Sequence, residues 1–419
     1  MTLALRILAF AFNYTPERTG GAVTSAGRMR HLAEAGHDVT VVTGFPYYPE
    51  WRTHEAYRGR FAMREAVDGL PVIRRWHYVP RKQGALGRSV MEASFALTAI
   101  PTGLTQRRPD LILSATPAVS ALAAGAAAAR RFGVPHGVFV LDLAGRSAEQ
   151  SGMPGGRFAR RMADPIEGAL LRSATRVGMI TEGFRAPIES LGVRPDQLER
   201  LTDWKLTAEP TLAREEARRQ VGLPCDNPVV LHTGNIGYKQ GLEHLASAAA
   251  IAARELPGLR FVLIGDGNQR ALVEERCRAL GATNVDFLPL QAADLYPSLL
   301  GSSDVLLLHQ RAQVKEMSLP SKLADYLAAG RPVVAAVHEA SEAAHEVRRA
   351  GGGVVVTTED PRALVDAIRE LLSDPVRASA LGRAGQEYTR ERYSHAALAA
   401  ALDGFVDRTM AQGRVGSRA

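Results

Sequence analysis

Along its whole length the chain alternates short, β-branched apolar runs with segments of helical period, and this alternation confines it to parallel sheets covered by helices. In the first half Arg6–Ala11 reads as a strand and Gly20–Gly21 as part of a loop. A helix over Val23–Ala35 is closed by Gly36–His37, and Val39–Thr43 is the next strand. Further strands are expected at Leu111–Ser114, Gly137–Leu141 and Arg176–Ile180, with helices over Leu86–Thr105, Val119–Phe132 and Gly156–Leu171. Between Gly44 and Pro71 lies a long irregular stretch holding Tyr47, Tyr48, Trp51 and Tyr57. A loop that long inside a compact domain is usually functional or mobile.

The pattern lapses between Arg194 and Asn227 and then restarts. Strand Val229–His232 leads through Gly234–Gly241 to helix Leu242–Glu255 and strand Arg260–Ile264. The turn Gly265–Asp266–Gly267 opens a helix to Leu280, and strands Val285–Leu288, Val305–Leu308, Val333–Ala336 and Val354–Thr357 follow, with helix Pro361–Leu372. At 419 residues the chain exceeds one ordinary core, so two domains of roughly 200 residues are expected. We place them at 1–200 and 201–395, with a last amphipathic helix, 396–411, crossing back to the first domain and a disordered tail after Gln412.

Composition narrows the class. A 46% hydrophobic and 23% charged chain is that of a water-soluble globular protein. Cys225 and Cys277 provide neither a disulfide framework nor a metal cluster, which fits a reducing cytoplasm. Met1–Phe12 lacks a basic flank and a cleavage site and reads as a strand. Pro117–Ala129, the longest uncharged apolar run, is shorter than the about 20 residues a bilayer needs. The net charge of +7 is concentrated in the first half, where Arg74, Arg75, Arg81, Lys82, Arg88, Arg107, Arg108, Arg130, Arg131, Arg157, Arg160, Arg161, Arg172 and Arg176 lie. Such a half suits anionic headgroups or a pyrophosphate-bearing acceptor; solvated helix faces are the plainer reading. Nucleic acid is disfavoured, because aromatics are scarce at 6% and do not interleave with the arginines.

One stretch carries chemistry. In Met317–Ser318–Leu319–Pro320–Ser321–Lys322–Leu323–Ala324–Asp325 a Pro-Ser-Lys turn opens a helix that ends at Gly330, before strand residues Val333–Val334. A lysine, free amides at a helix start and a carboxylate one turn deeper suit a nucleoside diphosphate, with phosphates at the mouth and ribose hydroxyls by Asp325. The plainer reading makes Ser321 a helix cap and Asp325 a solvated side chain.

Four segments together resemble a family: Asn13–Gly21 with Gly36–Val39 and Thr43–Pro49; Leu141–Asp142–Leu143 with Ser147 and Gly152; Thr233–Gly234–Asn235–Ile236–Gly237–Tyr238–Lys239–Gln240–Gly241–Leu242; and Leu319–Val333. The chain resembles the retaining GT-B glycosyltransferases of family 4, and within them the WcaI/WbuB-type exopolysaccharide and O-antigen transferases. The resemblance covers nearly the whole chain. It implies an α/β fold of two Rossmann-like domains facing a cleft, the first for the acceptor and the second for the nucleotide sugar.

On that reading Lys322 and the amides after Pro320 and Ser321 meet the diphosphate, and Lys239 approaches from the other side with backbone amides of Ile236 or Gly237. Lys315, Glu316, Met317, Ser318 and Leu319 would complete the donor site with Gly234 and Asn235. Gly265–Asp266–Gly267 would lie by base and ribose; with Arg270 where a dinucleotide fingerprint needs its third glycine, NAD is not expected. Gly20 and Gly21 would let backbone approach the donor phosphate or acceptor. Asp142, at a strand's carboxyl edge, would orient the acceptor hydroxyl, the departing phosphate itself taking the proton. Tyr47, Tyr48, Trp51 and Arg146 are candidates for the acceptor cleft, with core packing an alternative for the aromatics. His37 reads as structural.

Departures matter too. The family's paired glutamates are Met317 and Asp325 here, an arginine common in members is Asn235, and the Asp-Leu-Trp-Pro signature is Asp142–Leu143–Ala144–Gly145. The expectation is a metal-independent, retaining hexosyl transfer (EC 2.4) from a UDP- or GDP-sugar, with no cofactor, at the cytoplasmic face of a membrane and in peripheral contact with it. The acceptor would be a lipid-linked saccharide in cell-surface glycan synthesis. A soluble small-molecule acceptor is the alternative, and a silent nucleotide-sugar-binding scaffold is the alternative of another class.

Overall fold

The computed structural model describes residues 4–17, 20–48, 50–81, 84–146, 156–204, 207–314 and 320–416. The chain divides into two compact units, Met1–Lys205 with His395–Ala419, and Leu206–Ser394.

The first unit is built on an eight-stranded sheet: β1 (Arg6–Phe10), β2 (Asp38–Gly44), β3 (Ala62–Val67), β4 (Leu70–Arg75), β5 (Leu111–Ala115), β6 (His136–Val140), β7 (Arg176–Met179) and β8 (Leu198–Arg200). Their spatial order is β3-β4-β2-β1-β5-β6-β7-β8. Every pairing is parallel except β3 with β4. β5 and β6 are buried throughout, as parallel strands covered on both faces must be.

Its helices are α1 (Gly20–Glu34), α2 (Ala85–Leu104), α3 (Val119–Phe132), α4 (Gly156–Ser173) and α5 (Arg185–Ser190). The irregular stretch expected over Gly44–Pro71 contains a hairpin instead. Asp68 and Gly69, with φ of 52° and 79°, form the two-residue turn joining β3 to β4. Gly20 and Gly21 do not form a loop but open α1. Leu5 donates its backbone N–H to His37 Nδ1 at 3.1 Å, a structural role for that histidine. Arg74, read as part of a basic surface, is fully buried. Its guanidinium pairs with Glu65 and donates to the carbonyls of Gly44 and Thr15.

The second unit carries six parallel strands: β9 (Val229–Thr233), β10 (Arg260–Ile264), β11 (Val285–Leu288), β12 (Val305–His309), β13 (Val333–Val337) and β14 (Gly353–Thr357). Their order is β11-β10-β9-β12-β13-β14. Around them lie α6 (Arg214–Gln220), α7 (Leu245–Glu255), α8 (Arg270–Ala279), α9 (Tyr296–Gly301), α10 (Lys322–Ala328), α11 (Glu342–Ala350), α12 (Pro361–Ser373) and α13 (Pro375–Tyr393). A short 3-10 turn, Tyr238–Gln240, lies in the expected Gly234–Gly241 loop, and a second, Leu242–His244, replaces the expected first turn of the helix beginning at Leu242. α6 and β8 occupy the segment where the sequence pattern lapses.

The last helix, α14 (His395–Gly416), returns to the first unit and remains helical beyond Gln412, where a disordered tail was expected. Phe405 explains its seat: the ring packs 5.2 Å from Phe139, in space left by Gly137 and Gly178, whose added Cβ atoms would come within 2.9 and 3.1 Å of it. No helix among the described residues is long and apolar enough to cross a membrane.

Candidate active site

In the second unit the site grows from the carboxyl ends of β9, β10 and β12. β9 ends at Thr233, and Gly234, at φ +102°, turns the chain away. A second glycine turn follows β10, and the two interlock backbone to backbone. Ile236 donates its N–H to Asp266 O at 2.9 Å, and Gln269 donates to Ile236 O at 3.0 Å. Gly265 has φ +147°, and a Cβ there would strike the Gly234 carbonyl; one on Gly267 would strike Ile236 O and Asn235 Oδ1. These glycines are therefore required by turn-on-turn packing.

That packing corrects one expectation. The Ile236 amide is engaged by Asp266, and the Gly237 amide donates to Gln240 Oε1 at 3.2 Å, so neither is held ready for a phosphate.

Lys322 is the first residue of α10, a helix of seven residues that ends before Gly330, itself at φ +70°. Its Nζ donates to the Thr233 carbonyl and lies 3.1 Å from His232 Nε2. A Cβ on Gly234 would stand 3.3 Å from the same Nζ, so the two segments separated by about ninety residues meet here. His232 is fully buried, and Nδ1 donates to Leu307 O at 3.1 Å. Lysine cannot accept, so Nε2 is the acceptor and the ring is neutral. Burial first, and the nearby Lys322 charge second, hold its pKa well below the ordinary value.

Around this pair the Tyr326 hydroxyl accepts from the Thr233 N–H at 2.8 Å, and Tyr296 OH lies 3.0 Å from Thr233 Oγ1. Burial raises both phenols far above their usual range, with the Asp325 charge adding to the effect. Ser321 provides no side-chain cap to α10, contrary to the plainer reading.

Lys239 sits part-exposed on the first 3-10 turn. Arg311 fixes that turn: its Nε donates to Tyr238 O at 2.7 Å, its guanidinium lies 4.2 Å from the Tyr238 ring centroid, and its backbone N–H bonds Lys239 O at 3.0 Å. Glu243 pairs with Arg311, and His309 Nδ1 lies 2.6 Å from Gln240 O. Lys315, Glu316, Met317, Ser318 and Leu319 lie outside the described residues.

In the first unit Asp142 stands just past β6. Its Oδ1 accepts from Leu143 N at 2.8 Å, and Thr116 Oγ1 donates to its carbonyl at 2.5 Å. The next amide, Ala144, goes to Glu167 Oε1 at 3.0 Å. Glu167 is fully buried, and burial pushes its carboxyl up to about 7. Arg146 donates to Ser190 Oγ at 3.2 Å.

The aromatic loop is organised by Glu17, whose Oε1 accepts the Tyr47 and Tyr48 amides at 2.8 and 2.9 Å. Tyr47 is buried against Phe12, Trp51 and His77, so it belongs to the core and not to an open acceptor cleft. Tyr48 is exposed, and Trp51 is half-buried beneath Arg88.

His232, Arg311 and Glu167 escaped the sequence reading. Nothing local marks them, because each acts through a partner far along the chain. Among the described residues no group of three His, Cys, Asp or Glu side chains is arranged to hold a metal.

Two family profiles divide the chain: a glycosyl transferase 4-like domain matches residues 19–204, and the glycosyl transferases group 1 family matches residues 213–388. WcaI of Escherichia coli (strain K12), named for colanic acid biosynthesis, is 30% identical over 88% of this chain and 93% of its own. The 2-deoxystreptamine N-acetyl-D-glucosaminyltransferase of Streptomyces fradiae is 26% identical over 86% of this chain and 83% of its own. Among solved structures, sucrose-phosphate synthase from Thermosynechococcus elongatus superposes with a TM-score of 0.74 at 20% identity, covering 97% of this chain and 99% of that one.

Proposed function

Because this chain belongs to the GT-B glycosyltransferases of family 4 and so uses a nucleotide-sugar donor, we propose that it transfers a hexosyl group (EC 2.4) with retention from a UDP- or GDP-sugar to a lipid-linked saccharide, in cell-surface glycan synthesis at a cytoplasmic membrane face. The observation that carries the reading is the meeting of Lys322 with the Gly234 turn. The diphosphate gains charge as the sugar's C–O bond breaks, and Lys322 with Lys239 stabilises the developing charge electrostatically. No metal is needed where two ammonium groups serve that purpose. Asp142 orients the acceptor hydroxyl, whose proton passes to the departing phosphate on the same sugar face.

The altered Ala144–Gly145 wall and the Streptomyces fradiae relative favour a second reading, in which the acceptor is a small soluble molecule.

A thermal-shift panel of UDP, GDP, ADP, dTDP and NAD⁺ tests the donor class, since a ligand at 100 times its dissociation constant stabilises by about 2.7 kcal/mol. One nucleoside diphosphate should stand out, and Lys322→Ala should abolish its shift. A response to NAD⁺ alone, or to none of the five, overturns the reading. Binding with no donor hydrolysis and no transfer to any acceptor would identify a silent scaffold.

A further inference from the structure

We propose that the N-terminal half of α4 is a docking face for the surface of an anionic phospholipid bilayer. Phe158, Met162 and Ile166, at intervals of four, are 70%, 58% and 54% exposed. Opposite them Glu167 and Leu171 are fully buried, so the helix turns its apolar stripe outward and packs through its other side. Three large apolar side chains on successive turns, all open to water, are not what folding of the unit requires.

Charge is the second observation. Arg157, Arg160 and Arg161 stand among the first six residues of α4, with no acid in its first turn. Arg160 pairs with Asp164 one turn on at 3.1 Å, whereas Arg161 is exposed at the helix end where the dipole disfavours cations. An exposed apolar stripe with an exposed arginine, Arg161, along one flank, on a helix lying at a surface, is a pattern that seats in the headgroup zone of an anionic membrane. A second helix of the same layer repeats the theme: α2 also packs on α3 and exposes Leu86 and Val90 near its own start. A symmetric contact between two copies through this stripe would bring Arg161 toward Arg161, so like charges argue against a second copy as the occupant.

The position suits the work. A Cβ on Gly145 would lie 3.4 Å from Arg160 Cα and against Asp164 Oδ1, so the Asp142–Gly145 edge packs on the side of α4 away from the stripe. A bilayer seated on the stripe would hold the edge at which the acceptor is proposed to bind about one helix diameter, roughly 10 Å, from its surface. That purpose rests on the lipid-linked acceptor reading; the docking itself does not.

The test is flotation of the full chain with vesicles of phosphatidylcholine alone, or of phosphatidylcholine with phosphatidylglycerol, at low and high salt. Binding should be at least about tenfold stronger to the anionic vesicles and should weaken with salt. Phe158→Ser with Met162→Ser should reduce it at least about tenfold, and Arg161→Gln about fivefold, both with unchanged thermal midpoints. Equal recovery on both vesicle types, or binding unaffected by either variant, overturns the proposal. So does a chain that is dimeric and becomes monomeric in the serine variant. The same preparations tested with UDP and GDP separate the two ideas: nucleotide stabilisation without vesicle binding sinks only the docking face, and the reverse sinks only the transferase reading.

Discussion

Lys322 Nζ lies 3.1 Å from His232 Nε2, a cation held against a buried imidazole that can only be neutral. Ordinary histidines are solvated and titrate; this one is fixed as an acceptor by its own donation to Leu307 O. The lysine is thereby aimed rather than left to its flexible stem. Lys322→Ala should lower kcat by roughly 10²–10³, as loss of a single charge-stabilising donor does elsewhere. His232→Phe, which removes the acceptor together with the donor to Leu307 O, should cost about 1–3 kcal/mol in kcat/KM while the protein still binds nucleotide. Equal, full loss in both variants would mean that the histidine is needed for folding, and circular dichroism would reveal it.

Two further buried histidines set an acid limit on stability. Burial lowers His136 in the first unit and His309 in the second to about 4. The unfolded value is near 6.5, so the unfolded chain binds more protons at mildly acid pH. Stability is therefore full above about 6.5 and falls as pH drops toward 4, by about 2 kcal/mol per histidine at pH 5. Urea midpoints at pH 7.5 and 5 measure this. His309→Gln, which can keep the bond to Gln240 O, should flatten the dependence of the second unit alone.

Glu167 should behave in the opposite sense. Its folded value of about 7 exceeds the unfolded one, so the protonated form is favoured by the fold and stability is lost as pH rises through 7. Glu167→Gln retains an oxygen for the Ala144 amide and should raise the stability of the first unit at pH 8 by up to about 3 kcal/mol. The gain should shrink to about 1 kcal/mol at pH 5 and vanish only below the unfolded value, near pH 4. A variant less stable at both values would show that the carboxylate, and not the acid, is the form the fold holds.

Gly265→Ala tests the interlocked turns. A Cβ there meets the Gly234 carbonyl, which is backbone and cannot swing aside, at a φ of +147° that alanine rarely adopts. The variant should lose at least about 2 kcal/mol and also nucleotide binding, since the strike displaces the turn above Lys322. Gly69→Ala, at φ +79° with nothing near its Cβ, should lose about 1 kcal/mol and no nucleotide binding.

Periodicity exposed most of the sheets because fully buried parallel strands such as Val333–Val337 are uninterrupted apolar runs. It failed at β3, an edge strand of alternating half-exposure, although the Asp68–Gly69 pair is a hairpin signal in the sequence itself. Lys322, Gly234 and Asp142 stood out because their neighbours form recognisable turns. His232 and Glu167 did not, because their roles depend on Leu307 and Ala144, residues that only the fold brings near. Charge counting misled at Arg74, since composition cannot tell a solvated guanidinium from one buried on two carbonyls. Gly237 and the Ile236 amide were misassigned for a related reason: a glycine turn offers donors only where no neighbouring turn has already taken them.

Arg311 provides the sharpest separation of stability from activity. It bonds Tyr238 O, covers the Tyr238 ring and pairs with Glu243, whose other carboxylate oxygen is buried without a hydrogen-bond partner. Removing only the arginine strands that carboxylate, so Arg311→Met should destabilise the second unit by about 3–5 kcal/mol. Arg311→Met with Glu243→Leu removes both charges and should recover most of that loss. Recovery of stability should not restore transfer, because Lys239 would ride on a turn no longer held through the Tyr238 carbonyl. The expected result is a double variant with near-normal urea midpoint and a kcat reduced about tenfold or more. If activity returns along with stability, the latch is a packing device and Lys239 does not depend on it. If kcat is unchanged even in the single variant, Lys239 has no part in the phosphate clamp.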